Sequence, residues 1–404
     1  MKKLIKLILC SSALITTSGF AAMFEGNITV DGNTKHVSYN SIQELVDTFS
    51  NDGLRKLFPA YNNNSIVTTN NLSLRGLPAT FNYVGANTEL VLAVPDAGIN
   101  KSFTGATRNE SEQQLRDFFK GEGNADALIS QLLQAFVEKT PFDPIAGNPG
   151  SMMGLMIKNA FATGAGVWMN RGGEARSANF FSLTPQYSQN SIEGQKSQEL
   201  VLPIGYSHYF ANGNSALLFS LPIAVQKDSG SYSYNAGLSM ALQQYIMKYW
   251  RVTPIISINT GGSKDLGSFA LAYAGFLKSD VMLPWQNWQF GIHNMAGYLR
   301  THPLRIRGYS IEYRLKNWTT ENGLSAAYFV QNAPLGVEAK YSHTDMLGGS
   351  KWYIDHYNNI GLNIMYIAKS LGYYQYDAFL PVLNMNLVTK AIKLTSLIWQ
   401  FAFR

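Results

Sequence analysis

Cysteine is almost absent from this sequence of 404 residues. Its single copy, Cys10, lies in an N-terminal stretch with the pattern of a secretory signal, so we expect the mature chain to have none. Such a chain forms no disulfide bond and offers no thiolate to a metal ion. Leu9 stands where bacterial lipoprotein signals carry a small residue, which argues against lipidation of Cys10.

Charge is also scarce, because 14% of the residues are Asp, Glu, Lys or Arg, against about 25% in an ordinary soluble domain. The formal charge is +6, and three of the lysines lie near the start of the chain. They precede a short apolar run, residues 7–15, and a small-residue stretch, Gly19–Ala21. We expect residues 1–21 to be a removed signal peptide, and the small remaining charge indicates no nucleic-acid partner.

Long apolar runs are missing from the rest of the chain. The nearest candidate, Met152–Met169, is interrupted by Lys158 and Asn159, so we expect no membrane-spanning helix. Tyrosine, phenylalanine and glycine are abundant instead, with 22, 22 and 35 copies. An exported, charge-poor chain of this kind is typical of a β-barrel in the outer membrane of a Gram-negative bacterium, where outer-membrane lipid is its partner.

A period of two runs from about Ser177 to the end. Leu217, Phe219 and Leu221 alternate with Ser220 and its neighbours after a predicted hairpin turn at Asn212–Gly213. One face of each run is apolar and aromatic, and the other is small or polar but poor in charge. This predicts a transmembrane antiparallel up-and-down barrel over residues 171–404, with apolar residues facing lipid.

The count of runs predicts about twelve strands, with ten or fourteen left open. Each run is about as long as a tilted spanning strand of roughly 9 to 11 residues. Later strands are expected to begin near Trp288, Leu304, Leu324, Leu335, Ile360 and Ala391. The last run ends in Trp399, Phe401 and Phe403, alternating aromatics that resemble the signal by which insertion machinery recognises outer-membrane proteins. Arg404 departs from that signal, which normally ends on the aromatic residue.

The N-terminal third has a different pattern, which predicts a small α+β or β-rich soluble domain over residues 22–104. A hairpin is expected around Asp31–Gly32, followed by a helix that Ser41 and Glu44 cap. Further strands are expected at 65–74, 79–84 and 89–94.

Residues 105–170 are predicted to form a helical linker or a plug of the barrel lumen. Thr107 and Glu110 make a second capping box, and Asn124 is a candidate cap for a second helix. Ser151 is expected to begin a methionine-rich helix, Met152–Phe161, immediately before the barrel.

This order of parts resembles the translocator unit of an autotransporter. The segments FTGATRNES (103–111) and FDPIAGNPGSMM (142–153) add to the likeness. Without a long repetitive passenger, the chain is most similar to solitary outer-membrane barrels of autotransporter type, over residues 105–404. The resemblance implies an outer-membrane location and a helix in or near the lumen, and it implies no catalytic residue.

Two histidines lie beside carboxylates in sequence, His343 with Asp345 and His356 with Asp355. An Asp-His pair at a barrel rim could activate water for hydrolysis, while the alternative is that both pairs are polar strand ends. The chain lacks a G-x-S-x-G elbow and the i, i+4 histidine spacing of a helical zinc site. We therefore expect no catalytic residue, no metal and no cofactor.

Charged residues on the polar faces are the remaining candidates for function. They would pair across the lumen, hold the helix of residues 152–161, or line a water-filled pore. The predicted lumen-facing charges are Arg251, Lys278, Glu312, Arg314, Glu338 and Lys340. The sequence thus favours a non-enzymatic barrel that displays, exports or anchors its N-terminal domain. The alternatives are a small-solute channel and a rim hydrolase.

Overall fold

A computed structural model describes most of the chain. The described residues are 22–122, 126–164, 180–183, 186–192, 195–211, 214–306, 309–331, 335–366, 376–388, 392–393 and 395–403. Three sequence predictions lie outside them: the signal peptide, the cap at Asn124 and the turn at Asn212–Gly213.

The N-terminal part is a six-stranded antiparallel sheet in the order β2-β1-β3-β4-β5-β6. Its strands are β1 (Phe24–Val30), β2 (Asn33–Tyr39), β3 (Val67–Leu74), β4 (Leu77–Tyr83), β5 (Leu90–Val94) and β6 (Ile99–Phe103). Asp31 and Gly32 both have positive φ, 49° and 82°, as a two-residue hairpin turn of the favoured hand requires. The predicted hairpin is therefore confirmed, whereas β6 was missed by sequence analysis.

Five α-helices follow or interrupt this sheet among the described residues. They are α1 (Ile42–Asp47), α2 (Asn51–Leu57), α3 (Arg108–Phe119), α4 (Asp126–Lys139) and α5 (Met152–Ala162). The side chains of Ser41, Thr107 and Ser151 accept the expected backbone N–H groups and cap α1, α3 and α5, which confirms these three helix starts. None of the helices that the structure describes is long and apolar enough to cross a membrane.

Replacement of Thr107 by Ala is expected to loosen α3. The Thr107 hydroxyl accepts the N–H of Glu110 at 3.2 Å, and losing such a cap costs about 1 kcal/mol. Amide hydrogen exchange across α3 should become about fivefold faster if it occurs through local opening. Thr107→Ser, which keeps the hydroxyl, serves as the control. Equal exchange rates in the Ala and Ser variants would show that the cap contributes nothing.

The C-terminal part is a single antiparallel sheet of fourteen strand segments. They are β7 (Phe180–Leu183), β8 (Gln186–Ile192), β9 (Gln195–Tyr209), β10 (Ser215–Asp228), β11 (Ser231–Met247), β12 (Trp250–Ser263), β13 (Ser268–Trp285), β14 (Trp288–His302), β17 (Lys316–Phe329), β18 (Leu335–Gly349), β19 (His356–Tyr366), β20 (Tyr376–Val388), β21 (Ile392–Lys393) and β22 (Thr395–Phe403). A separate small hairpin consists of β15 (Leu304–Ile306) and β16 (Tyr309–Ile311).

The pairing of the last strand with the first closes this sheet into a barrel. β22 pairs with β20 on one side and with both β7 and β8 on the other. β7 and β8 share one register along β9 and β22, so they occupy a single strand position. β21 continues the register of β22 along β20. The described segments therefore fill twelve strand positions, which confirms the predicted fold and leaves no open edge at β22.

Several strand boundaries differ from the sequence predictions. The run at Leu304 is the short hairpin β15–β16 rather than a spanning strand, and Pro303, which cannot donate a ladder hydrogen bond, precedes it. The next spanning strand begins at Lys316 instead of Leu324, and β20 was not predicted. Many strands also exceed the expected length, since β13 has 18 residues. The barrel wall is thus longer than a bilayer core requires.

The two ends of the barrel differ in whether they contact the N-terminal domain. We call the end that contacts this domain the docking mouth and the opposite end the far mouth. The docking mouth is formed by the described residues of the connections 229–230, 264–267, 303–315 and 350–355. Among the described residues, the far mouth is formed by 210–211, 214, 248–249, 286–287 and 330–331, together with the start of β7 and the end of β22. One continuous apolar core runs from the N-terminal sheet through α4 and α5 to the barrel strands, so the two parts pack as one molecule.

Candidate functional site

A buried ion pair joins the N-terminal domain to the docking mouth. Arg75 follows β3 and reaches Asp143 at 2.6 Å, and the two side chains are 1% and 0% exposed. The Arg75 guanidinium also donates to Ser268 Oγ at 2.8 Å and to the Leu266 carbonyl, and it lies 4.0 Å from the ring centroid of Phe136. A buried guanidinium is tolerated only when such partners replace water.

Asp143 is the centre of this network. Its Oδ1 accepts the backbone N–H groups of Ile145 and Ala146, and its Oδ2 accepts the hydroxyl of Tyr313 at 2.8 Å. Burial, with the nearby Asp143 carboxylate, holds the pKa of Tyr313 well above its ordinary value, so the phenol stays protonated and donates. One carboxylate thus ties β3, the segment before α5 and the connection 303–315 together.

Further hydrogen bonds to the backbone extend this docking to the other connections of the mouth. The N–H of Ile42 donates to the carbonyl of Asp265 at 2.8 Å, and Ser231 Oγ donates to the carbonyl of Asn40 at 2.6 Å. The N–H groups of Tyr353 and Ile354 donate to the carbonyls of 137 and 147. The N-terminal domain and its helices therefore contact four separate connections of one barrel end.

Helix α5 lies inside the ring of strands. Leu155 packs with Val201 of β9 and Ala224 of β10, while the Phe161 ring lies 6.2 Å from the ring of His293 on β14. Met152 lies beside Gly261 of β12. Contacts with β9, β10, β12 and β14 are possible together only from within the barrel. The first residues of α5 lie toward the docking mouth and its last residues toward the far mouth, where β7 begins.

Two groups of charges hold this helix. Lys158 of α5 interacts electrostatically with two buried carboxylates, Glu199 of β9 and Glu321 of β17. On the wall, Lys278 Nζ donates to the carbonyls of Phe161 and Thr163 at the end of α5. The lumen helix is therefore fixed by side chains from several parts of the wall.

Arg251 and Lys278, both predicted from sequence, meet at a carboxylate that the sequence analysis missed. Asp280 Oδ2 lies 3.0 Å from Arg251 Nε, and its Oδ1 lies 3.3 Å from Lys278 Nζ. His293 Nδ1 reaches the same Oδ1 at 2.7 Å. Asp280 is two residues from Lys278 on the same face of β13. Its position on the polar face of this strand was the sequence signal by which it could have been predicted to face the lumen.

The other four predicted charges form two pairs of their own. Lys340 and Glu338 pair at 3.0 Å on β18. Glu312 and Arg314 pair at 3.2 Å, and they lie on the connection 303–315 rather than on a strand of the wall. The carbonyl of Glu312 accepts the Ser130 hydroxyl of α4, which places this pair at the docking mouth.

The two Asp-His pairs lie near the docking mouth. His343 is 3.1 Å from Asp345 and 2.7 Å from Asn358, and His356 is 2.7 Å from Asp355 with both side chains more than half exposed. Within the described part of the chain, no three His, Cys, Asp or Glu side chains are grouped as metal ligands would be.

The outer surface of the barrel decides its environment. Large apolar side chains such as Tyr234, Ile256 and Leu277 are 59%, 59% and 56% exposed there, while polar ones such as Gln243 and Thr253 are buried inside. This is the inverse of a water-soluble barrel and matches a wall that faces lipid. The protein is an integral outer-membrane β-barrel.

Aromatic residues mark both rims of this outer-membrane wall. Trp288 stacks on Phe290 and contacts Tyr328 near the far mouth, and Tyr298 packs on Trp318 with centroids 5.0 Å apart toward the docking mouth. Aromatic girdles of this kind lie at the two interfaces of a membrane. The apolar band between them faces the outer-membrane lipid.

No protein-family model matches the sequence, and no curated protein matches it at a significant level. Solved structures of similar arrangement include the translocator domain of the autotransporter NalP from Neisseria meningitidis, with 10% identity, 62% of this chain and 95% of that chain covered, and a TM-score of 0.45. The β domain of the Bordetella autotransporter BrkA has 13% identity over 56% and 99% of the two chains, with a TM-score of 0.41. An outer-membrane channel from Pseudomonas putida F1 has 13% identity over 58% and 100%, with a TM-score of 0.42.

Proposed function

We propose that this outer-membrane barrel anchors and displays its own N-terminal domain at the cell surface. The observation that carries the proposal is the course of α5, which passes through the lumen between a domain docked at one mouth and the first strand at the other. The function is non-enzymatic in this proposal, because a held domain needs no catalytic residue. The domains are residues 22–104, the helical segment 105–170 with its lumen helix, and the barrel 171–404.

We place the docking mouth outside the cell. The longest stretch between two consecutive spanning strands, 303–315, belongs to this mouth, and bacterial barrels have their longer loops outside and their short turns in the periplasm. The resemblance to autotransporter-type barrels agrees with this orientation. In this proposal, the outer-membrane insertion machinery recognises the last strand, β22, through Trp399, Phe401 and Phe403.

Surface proteolysis tests the proposal directly. An epitope tag is inserted after Gly85, in the exposed connection between β4 and β5 where the glycine has open space. We expect protease to cleave the tag on intact cells. A matched tag in the far-mouth turn 286–287 should be cleaved only after the outer membrane is opened. Protection of the Gly85 tag on intact cells, with cleavage of the far-mouth tag, would reverse the orientation and overturn surface display.

A further inference from the structure

Two cations lie directly opposite each other on the outer face of the wall, near the docking mouth. They are Arg300 of β14 and Lys316 of β17, and both side chains are exposed. Opposite residues of an antiparallel pair have Cβ atoms about 5 Å apart, and like charges at this spacing destabilise the pair. Among the described residues, neither cation forms an ion pair with a carboxylate, since the nearby Glu312 pairs with Arg314. The two cations are therefore available to an anion from outside the chain.

The aromatic girdles give the depth of these cations in the membrane. Tyr298 lies ten residues along β14 from Trp288 of the far-mouth girdle. A strand that rises about 3.4 Å per residue and is tilted by about 40° spans about 25 Å over that distance, which is the height of the apolar band of such barrels. Arg300 lies two residues beyond Tyr298, and therefore about 5 Å outside the apolar band. This is the level of the lipid headgroups.

An outer groove leads from the cations toward the middle of the membrane. It begins at Gly275 of β13, which is opposite Tyr298, and continues past Ala296 of β14. A Cβ atom at Gly275 would meet no other atom within 4 Å. The larger side chains of Ile256 on β12 and Tyr298 on β14 flank this glycine. Because their strands are about 10 Å apart, the outer groove has room for one hydrocarbon chain.

We propose that Arg300, Lys316 and the outer groove bind one phosphorylated glycolipid of the outer leaflet. Its phosphate lies between the two cations, and one of its acyl chains lies over Gly275. The proposal goes beyond surface display and rests on it in one respect, because the docking mouth must face the outside, where the leaflet consists of glycolipids that carry phosphate groups.

The two cations select the kind of phosphate. A phosphate monoester carries about 1.5 to 2 negative charges at neutral pH, whereas the diester of an ordinary phospholipid carries one. A guanidinium binds two phosphate oxygens at once, and an ammonium adds a compact second charge. Two neighbouring cations therefore match a monoester better than a diester.

The outer groove contributes orientation more than affinity. Acyl chains elsewhere in the bilayer are already in an apolar environment, so a chain over Gly275 gains close packing without a hydrophobic driving force. The phosphate contacts should accordingly supply most of the binding free energy, and the groove should favour a lipid over a free anion. These two contributions can be removed separately.

The first test measures lipid binding to the purified full-length protein by native mass spectrometry in detergent. Bisphosphorylated, hexa-acylated lipid A is the probe, and we expect one tightly bound copy. Lipid A without its phosphates and phosphatidylglycerol should each bind at least about tenfold more weakly, because charge-assisted contacts are lost. Equally tight binding of phosphatidylglycerol would overturn the assignment to a glycolipid.

A double substitution tests the two cations. Arg300→Gln with Lys316→Gln should weaken lipid A binding at least about tenfold. Arg314→Gln with Lys351→Gln is the control, because it removes the same charge from the same mouth while these two cations have carboxylate partners of their own. The control should bind lipid A as the unchanged protein does. An equal loss in both double variants would show that only net charge matters and would overturn the site.

A substitution in the outer groove tests the acyl chain. Gly275→Phe fills the open space and should weaken lipid A binding about threefold without changing the fold. Ala326→Phe places the same ring on the outer face nearer the far mouth and serves as the control. Equal binding by the two variants would contradict the position of the chain over Gly275.

The last test identifies the lipid in living cells. A photoreactive benzoylphenylalanine replaces Ile256, which is 59% exposed beside the outer groove, and light should couple it to a phosphorylated glycolipid. The same group at Ala326 should couple to phospholipid. Coupling at 256 to phospholipid alone overturns the proposal. Surface proteolysis locates the N-terminal domain without reference to lipid, and binding to the purified protein does not depend on orientation, so the failure of this proposal and the failure of surface display are distinguishable.

Discussion

Replacement of Asp143 by Asn is expected to release the N-terminal domain from the docking mouth. Asn keeps the shape of Asp143, and its oxygen can still accept the N–H groups of Ile145 and Ala146. The new amide group, however, would face the guanidinium of Arg75 and the hydroxyl of Tyr313, which are both donors. Removal of one partner from a buried ion pair costs about 3 to 5 kcal/mol.

This cost should appear as faster opening of the interface. Cleavage by added protease within residues 140–151 should be more than about a hundredfold faster if opening limits it. Glu138→Gln is the matched control, because Glu138 pairs with Lys351 at the same mouth at 3.6 Å and Lys351 is 79% exposed. Exposed pairs contribute about 0 to 1 kcal/mol. Equal protease sensitivity of the Asp143→Asn and Glu138→Gln variants would show that the buried pair does not hold the domain.

A double substitution separates the contribution of the two buried charges to the interface from the contribution of side-chain packing. Arg75→Met with Asp143→Leu removes both buried charges and replaces them by apolar groups of similar size. Such exchanges are often neutral or stabilising. We expect the double variant to resist protease better than Asp143→Asn alone. A double variant that opens as fast as the single one would indicate that the other hydrogen bonds of Asp143 dominate.

Removal of the lumen helix is expected to convert a closed barrel into a conducting one. In planar bilayers, the full-length protein should show no discrete current steps, because α5 lies inside the barrel and contacts several strands of its wall. Deletion of residues 22–164 should produce discrete current steps. Deletion of residues 22–104 alone, which leaves α3, α4 and α5, should remain silent. Current steps of equal size in all three proteins would show that α5 does not close the path.

A point substitution in the full-length protein tests whether α5 closes the lumen. Lys158→Glu places a third carboxylate beside Glu199 and Glu321, so repulsion should drive α5 from its position. Lys158→Met removes the charge but keeps the packing stem and serves as the comparison. We expect transient current steps with Lys158→Glu and fewer or none with Lys158→Met. The reverse order would contradict the electrostatic anchoring of α5.

The barrel could be predicted from sequence because its signal is local. Alternation along a strand such as β12 shows directly which residues share a face, and scarcity of charge shows that the apolar face does not meet water. The helix starts at Ser41, Thr107 and Ser151 were likewise predictable, because a cap and its first turn are neighbours in the chain.

The functional contacts could not be predicted because they join distant residues. Asp143 lies in a segment that the sequence analysis used only for its likeness to a family, and its partners Arg75 and Tyr313 are 68 and 170 residues away. Asp280 and His293 meet through the register of two neighbouring strands, which alternation alone does not set. The hairpin at Leu304 was mistaken for a spanning strand, because Leu304 and Ile306 alternate with Arg305 over three residues only, and so short a run does not distinguish a short hairpin from a spanning strand.

The course of α5 through the barrel limits the order in which the protein can assemble. A chain whose folded N-terminal domain lies at one mouth and whose first strand begins at the other is threaded through a closed ring. The six-stranded domain cannot pass through a ring that already holds α5, and folded chains rarely thread loops. Either the domain crosses the ring unfolded and folds at the docking mouth, or the seam between β22 and β7 closes around α5 as the last step. The late position of β22 in the chain allows the second order.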